Sequence, residues 1–233
     1  ELKTLYINYF QASKISKLVY IIKNTSNLVH ETQIERGMSS GFLGSNGTLY
    51  RDELKSQRKK SDEAFLIFKS SLDSLVLENY SADLKASSEK VINIFNNLSS
   101  VRSMVDSFAL TAPETVGFYD KMNDETLKLI EPISFLAPNN EIFNSIKAYL
   151  LFLFSKERTG IERATLNNAF SSNKFNPGMF LIFSSLMTEQ ELFMKEFVFY
   201  SSKENVDYVN NKLEGNAIVE VNRMRKIAID NYD

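Results

Sequence analysis

A chain of 233 residues is long enough for one large domain or two small fused ones, and for a substantial core. Its 43% hydrophobic and 24% charged residues are ordinary for a globular fold, and a net charge of −2 gives no footing for nucleic acid or an anionic membrane surface. One histidine and no cysteine argue against a zinc site and leave no disulfide from which to read a redox compartment.

Eight glycines, four prolines and eighteen phenylalanines without tryptophan predict long helices over a core of Phe, Leu and Ile. The first predicted helix covers 2–44, which at ~1.5 Å per residue is more than 60 Å and more than one compact bundle needs. Gly44-Ser45-Asn46-Gly47 ends it with turn chemistry. A second helix covers 48–77, with Leu54, Gln57, Arg58 and Ser61 on a polar stretch and Phe65, Phe68 and Leu72 in the core. The third runs over 81–110. Thr111-Ala112-Pro113-Glu114 is a capping box that opens a fourth over 113–131, and Pro132 and Pro138 bracket a break. Helices over 140–171, 179–200, 203–211 and 214–231 complete the chain, the sixth opened by Asn176-Pro177-Gly178. No stretch alternates with period two for long enough to argue for a strand. The expected architecture is all-α, about eight helices in two stacked up-down four-helix bundles that share long helices, read as a single domain over 1–233.

One stretch of the first helix departs from ordinary patterning. On a wheel at ~100° per residue, Leu18, Ile22, Val29, Gln33, Arg36, Ser40 and Leu43 share a face. An apolar stripe becomes polar around Arg36, and a core-facing arginine calls for a partner. The adjacent Glu35 lies ~100° off that stripe. Thr159-Gly160-Ile161-Glu162-Arg163-Ala164 repeats Thr32-Gln33-Ile34-Glu35-Arg36-Gly37 at the corresponding place in the fifth helix, where Tyr149, Lys156, Gly160, Arg163 and Asn167 share a face. Two arginines on matching helices make a fork for a small anion, with Gln33, Ser40 and Asn167 as further polar contacts. Gly37, Gly41, Gly160 and Ala164 read as positions of close helix packing. His30 is ~120° off the arginine stripe and reads as structural or solvent-facing. Arg102 and Asp106 stand at i,i+4 and read as a helix-surface or interhelix ion pair, and Arg58-Lys59-Lys60 as a solvated face. No catalytic triad, phosphate loop or buried carboxylate pair is present, so the chain reads as a sensor with no catalytic residue, metal or cofactor.

The stretch His30 to Ser45, with Gln57-Arg58, Ser61-Asp62, Val101-Arg102, Val105-Asp106, Phe118-Tyr119 and Lys156 through Phe170, resembles the pattern of NIT domains, the nitrate- and nitrite-sensing modules of bacterial receptors. The resemblance covers roughly residues 15–230 and implies an all-helical, two-bundle sensor that holds a small anion through arginines. It also implies a third arginine from the last helix. Arg223 and Arg225 compete for that role, with Arg223 favoured by its place in the family pattern.

The expected protein is therefore the ligand-binding region of a bacterial transmembrane chemoreceptor. Nitrate or nitrite is the ligand, formate or another small carboxylate the alternative. The longest apolar run, Ala148 to Phe154, is far short of the roughly 20 residues of a membrane span. Both ends fall in helical patterns, so the chain reads as a periplasmic piece cut between flanking transmembrane helices of an inner-membrane receptor, with a homodimer as its assembly. Two other readings stand beside it. One is a structural or dimerisation bundle whose arginines satisfy internal carboxylates. The other is a cytoplasmic regulator such as the family's RNA-binding antiterminators, for which this chain carries no RNA-binding segment.

Overall fold

The computed structural model describes residues 2–73 and 82–231. Its regular structure is all helical, with no strand among these residues. In chain order the helices are α1 (Leu2–Gly44), α2 (Arg51–Asp73), α3 (Ala82–Asn96), α4 (Leu98–Asp106), α5 (Ala112–Lys128), α6 (Ile130–Ser134), α7 (Asn140–Ser172), α8 (Met179–Tyr200), α9 (Lys203–Lys212) and α10 (Asn216–Asp230). The all-α expectation holds. The expected end of the second helix at 77 and start of the third at 81 lie outside the described residues.

Two of the expected helices are interrupted, each for a local reason. The third becomes α3 and α4 because Asn97 turns its amide back on the Asn93 carbonyl at 3.0 Å, offering the backbone an alternative to the helical ladder. The fourth becomes α5 and α6, and Pro132 accounts for this. Proline has no N–H to give the carbonyl four residues back, so α5 stops at Lys128. Pro132 itself sits in the first turn of α6, where no N–H is needed. The predicted capping box is present: the Thr111 hydroxyl accepts from the Glu114 amide, and the Glu114 carboxylate accepts from the Thr111 amide at 2.8 Å. That pairing holds the Glu114 carboxyl below the usual range.

The turn after α1 is tight. Gly47 takes φ +80° and donates to the Phe42 carbonyl at 2.8 Å; a Cβ there would come within 2.9 Å of the Phe108 ring. Phe108, itself at φ 56°, stacks on Phe42 with centroids 5.3 Å apart. Gly41 is covered by the Tyr50 ring, whereas Gly37 faces open space and supports no close packing, against the expectation.

The chain divides into two compact units, Glu1–Phe143 and Asn144–Asp233. In the first, α1 packs along α2 and α5, and α3 packs on α5 and α6. Its core is built from Leu18, Ile21, Leu28, Phe68, Leu72, Leu84, Val105, Met122 and Leu127, each fully buried or nearly so. Burial of such side chains contributes about 1.5–3 kcal/mol apiece. The second unit has two apolar clusters. Ala148, Leu151 and Phe197 gather Phe193, Val206 and Val209, joining α7 to α8 and α9. Leu166, Phe183 and Ala228 gather Phe175, Phe180 and Met187, joining α7 to α8 and α10. None of the described helices is long and apolar enough to cross a membrane.

Candidate functional site

Each copy of the repeated motif sits in its own unit, and each buries its glutamate. In α1 the buried arc is wide: Leu18, Ile21, Ile22, Thr25, Leu28, Val29, Thr32, Glu35, Arg36, Ser39 and Phe42 all belong to it. Its centre runs through Ile21, Thr25, Thr32 and Ser39, about 60° from the stripe read off the wheel. Leu18, Ile22, Val29 and Arg36 mark one side of the arc and Glu35 the other. Glu35 is thus fully buried, not turned away as the wheel suggested.

Arg102 of α4 meets Glu35 as a two-pronged fork, donating from Nε to Oε1 at 2.7 Å and from Nη2 to Oε2 at 2.9 Å. The Tyr119 hydroxyl of α5 donates to Oε1 at 2.6 Å. The outer nitrogen of Arg102, Nη1, continues to Asp62 at 2.6 Å. Arg58 donates to Asp106 at 2.8 Å, and its Nε lies 4.0 Å from Glu35. Burial pushes the Glu35 carboxyl up, but the Arg102 fork and charge, with Ser61 and Tyr119, outweigh it and hold the carboxyl below its ordinary range. Burial and the Glu35 charge push the Tyr119 phenol far up, so it remains a donor.

Of the two readings of Arg102 and Asp106, the interhelix one holds: they do not pair with each other along their own helix, and each pairs across to another, Arg102 with Glu35 and Asp62, Asp106 with Arg58. Arg58 therefore leaves the solvated face assigned to it, while Lys59 and Lys60 stay exposed. Lys59→Ala combined with Lys60→Ala is expected to leave the melting temperature unchanged within about a degree, because surface changes of this kind cost little. Arg58→Ala is expected to lower it by several degrees. Thermal melts of the two variants check the split.

Arg36 is 4% exposed and donates from Nη1 to the carboxylate of Asp120, on α5. Gln33 and Ser40 border it on the same face of α1, both half-buried. One turn earlier, Thr32 donates to Asn123 Oδ1 at 2.6 Å. His30 is exposed.

The second copy reproduces the glutamate arrangement. Glu162 is buried and takes a fork from Arg225 of α10, Nε to Oε1 and Nη2 to Oε2, both at 2.6 Å. Gln190 of α8 donates to Glu162 Oε2 at 2.7 Å and accepts from Arg225 Nη2 at 2.9 Å. Thr159 donates to Gln190 Oε1 at 3.0 Å, as Thr32 donates to Asn123. Arg163 and Asn167 are exposed on α7. Arg223 is exposed on α10 and donates to Glu220 at 2.8 Å. Of the two competing arginines, Arg225 is the one turned into its unit.

Of the residues singled out by sequence, the structure thus groups Gln33, Arg36 and Ser40 on α1 in the first unit. Arg163, Asn167 and Arg223 lie in the second, all three exposed. What sequence reasoning missed are the two glutamate forks. One signal was available, since Thr and Glu recur at the same three-residue spacing in both copies, and both Glu are retained. No group of three His, Asp or Glu among the described residues is placed to hold a metal.

The comparisons with known proteins bear on the family and the fold. Residues 27–233 match the NIT family, described as nitrate and nitrite sensing. A search of curated proteins gives no match. Among solved structures the fold resembles the NasR transcription antiterminator, with a TM-score of 0.86 over 97% of this chain at 20% identity. The chain spans 61% of that protein.

Proposed function

Because the chain belongs to the NIT family of nitrate- and nitrite-sensing domains, we propose that it binds one of these anions through Arg36 and Arg163, the arginines of its two motif copies. Gln33, Ser40 and Asn167 supply neutral polar contacts, and Arg223 a third cation. The observation that carries the reading is Arg36. It is a nearly fully buried guanidinium on the first motif, flanked by half-buried Gln33 and Ser40. A guanidinium presents planar donors that fit a planar monoanion two at a time, and in partly dry surroundings such charge-assisted bonds are strong.

The domain is the extracytoplasmic part of a bacterial inner-membrane receptor, a chemoreceptor first, held between flanking transmembrane helices and acting as a homodimer. This placement follows the family resemblance. Binding signals by differential affinity: an anion that favours one helix arrangement over another shifts the population toward it. Chemistry is left to the output partner, and this domain only senses. A second setting has an observation in its favour, since the similar NasR structure is that of a transcription antiterminator. In that setting the same sensor would act without membrane spans, and the sequence flanking this chain distinguishes the two.

A melting series with sodium salts of nitrate, nitrite, formate, acetate and chloride at equal ionic strength tests the ligand class. A ligand at ~100 times its Kd stabilises by about 2.7 kcal/mol. For a protein of this size that raises the melting temperature by roughly 5–10 °C. Nitrate or nitrite is expected to produce such a rise and chloride none. Formate alone doing so would make this a carboxylate sensor. No anion exceeding chloride would leave a structural bundle.

A further inference from the structure

The two motif glutamates and Asp120, the carboxylate on Arg36, each grip an arginine, and they differ in one respect. Glu35 is fully buried and held by Arg102 and Tyr119; the Glu162 side chain is 3% exposed and held by Arg225 and Gln190. Neither can reach water without dismantling its unit. The Asp120 side chain, in contact with nearly buried Arg36, is 25% exposed. It can turn into solvent and regain hydration, so of the three it is the carboxylate that can let go.

We propose that Asp120 is the specificity-determining residue of the anion site, a built-in counter-anion that the ligand must displace from Arg36. The inference rests on the proposed role of Arg36 as the ligand's guanidinium. Bringing a second anion to Arg36 while Asp120 remains would place two negative charges against one cation, which disfavours both. The exchange is instead neutral at the guanidinium: one planar anion replaces another, and Asp120 keeps its charge in water. An anion repays the lost Nη1 contact best when it presents a flat edge of two oxygens to the guanidinium. A spherical halide does not. The same exchange releases α5 from α1 at Asp120, one residue from the Tyr119 hydroxyl on Glu35, so occupancy at Arg36 is felt by the Glu35 network.

Calorimetric titration of sodium nitrate into wild type, Asp120→Asn, Asp120→Ser and Arg36→Ala tests the proposal, with helix content matched by circular dichroism. Asparagine keeps the shape and removes the charge; serine leaves room for water beside the guanidinium should asparagine disturb folding. Both are expected to bind nitrate about tenfold more tightly than wild type and to admit chloride as a competitor. Arg36→Ala is expected to lose binding. If wild type binds nitrate through Arg36 and neither Asp120 variant tightens it, the counter-anion role is wrong while the sensing role stands. If an Asp120 variant binds more weakly, Asp120 positions the ligand and does not compete with it. If wild type and both Asp120 variants all fail to bind nitrate, the sensing role and the exchange fall together.

Discussion

Glu35→Gln is expected to destabilise the first unit by about 3–5 kcal/mol, the cost of breaking a buried charge pair by removing one partner. On a unit of this size that lowers the melting temperature on the order of 10 °C. The glutamine keeps the volume but leaves Arg102 with half a fork and takes the counter-charge from beside Arg58. Arg102→Met is expected to cost a comparable amount, because it leaves Glu35 only the Tyr119 hydroxyl and the more distant Arg58 as supports. The double variant should cost much less than the sum, since a buried pair removed whole can be close to neutral. Denaturant melts of the four proteins measure that coupling; additive losses would show that the fork is incidental. The pH dependence has a definite sign. The folded Glu35 carboxyl is held below its ordinary range, so its stabilisation is complete at neutral pH. It fades as pH falls through and below the ordinary carboxylate range, and Glu35→Gln should flatten that acid limb.

The second copy predicts a smaller loss. The Arg225 side chain is 26% exposed, so its fork on Glu162 is partly screened. Arg225→Met is expected to cost on the order of 2 kcal/mol, the range of a hydrogen bond to a charged group. Its structural effect is local to α10. Ala228 is the one residue of that helix that is fully buried, so without the fork α10 is held to its unit mainly by the cluster around Ala228.

Much of the fold was legible because helical punctuation is local. The capping box at Thr111 to Glu114, the glycine turn after α1 and the opening of α8 at Gly178 each follow from residues within four positions of one another. Pro132 was legible as a break, but its effect falls four residues upstream, at the carbonyl it cannot serve. The polar network was less legible. Leu18, Ile22 and Val29 are buried, as expected, yet they line one side of an arc that continues past Thr32 to Glu35. A stripe of apolar residues locates the edge of such an arc when its centre is threonine and serine. The partners of Glu35 lie 67 and 84 residues away, so nothing near it in the chain announces them. For Arg36 the wheel gave burial and the need for a partner, and Asp120 meets that need from 84 residues away.

Calorimetric titration of wild type against Arg36→Ala, Arg36→Lys and Arg163→Ala decides whether the Arg36 guanidinium binds nitrate or nitrite. Truncating one side of a desolvated charge pair costs about 2–5 kcal/mol of binding, more than tenfold in Kd. Arg36→Ala is expected to show that loss, with Arg36→Lys recovering only part of it because an ammonium cannot offer two planar donors. Arg163→Ala tests the second motif copy in the same titration, and a more than tenfold loss of affinity is its expected result. Folding should survive Arg36→Ala with little loss, since Asp120, a quarter exposed, can turn to water when its partner is gone. Arg36→Ala is expected to melt at a nearly unchanged temperature without ligand and to lose the heat of nitrate binding. An Arg36→Ala protein that binds nitrate as wild type does, or that no longer folds, would contradict the proposed role of Arg36.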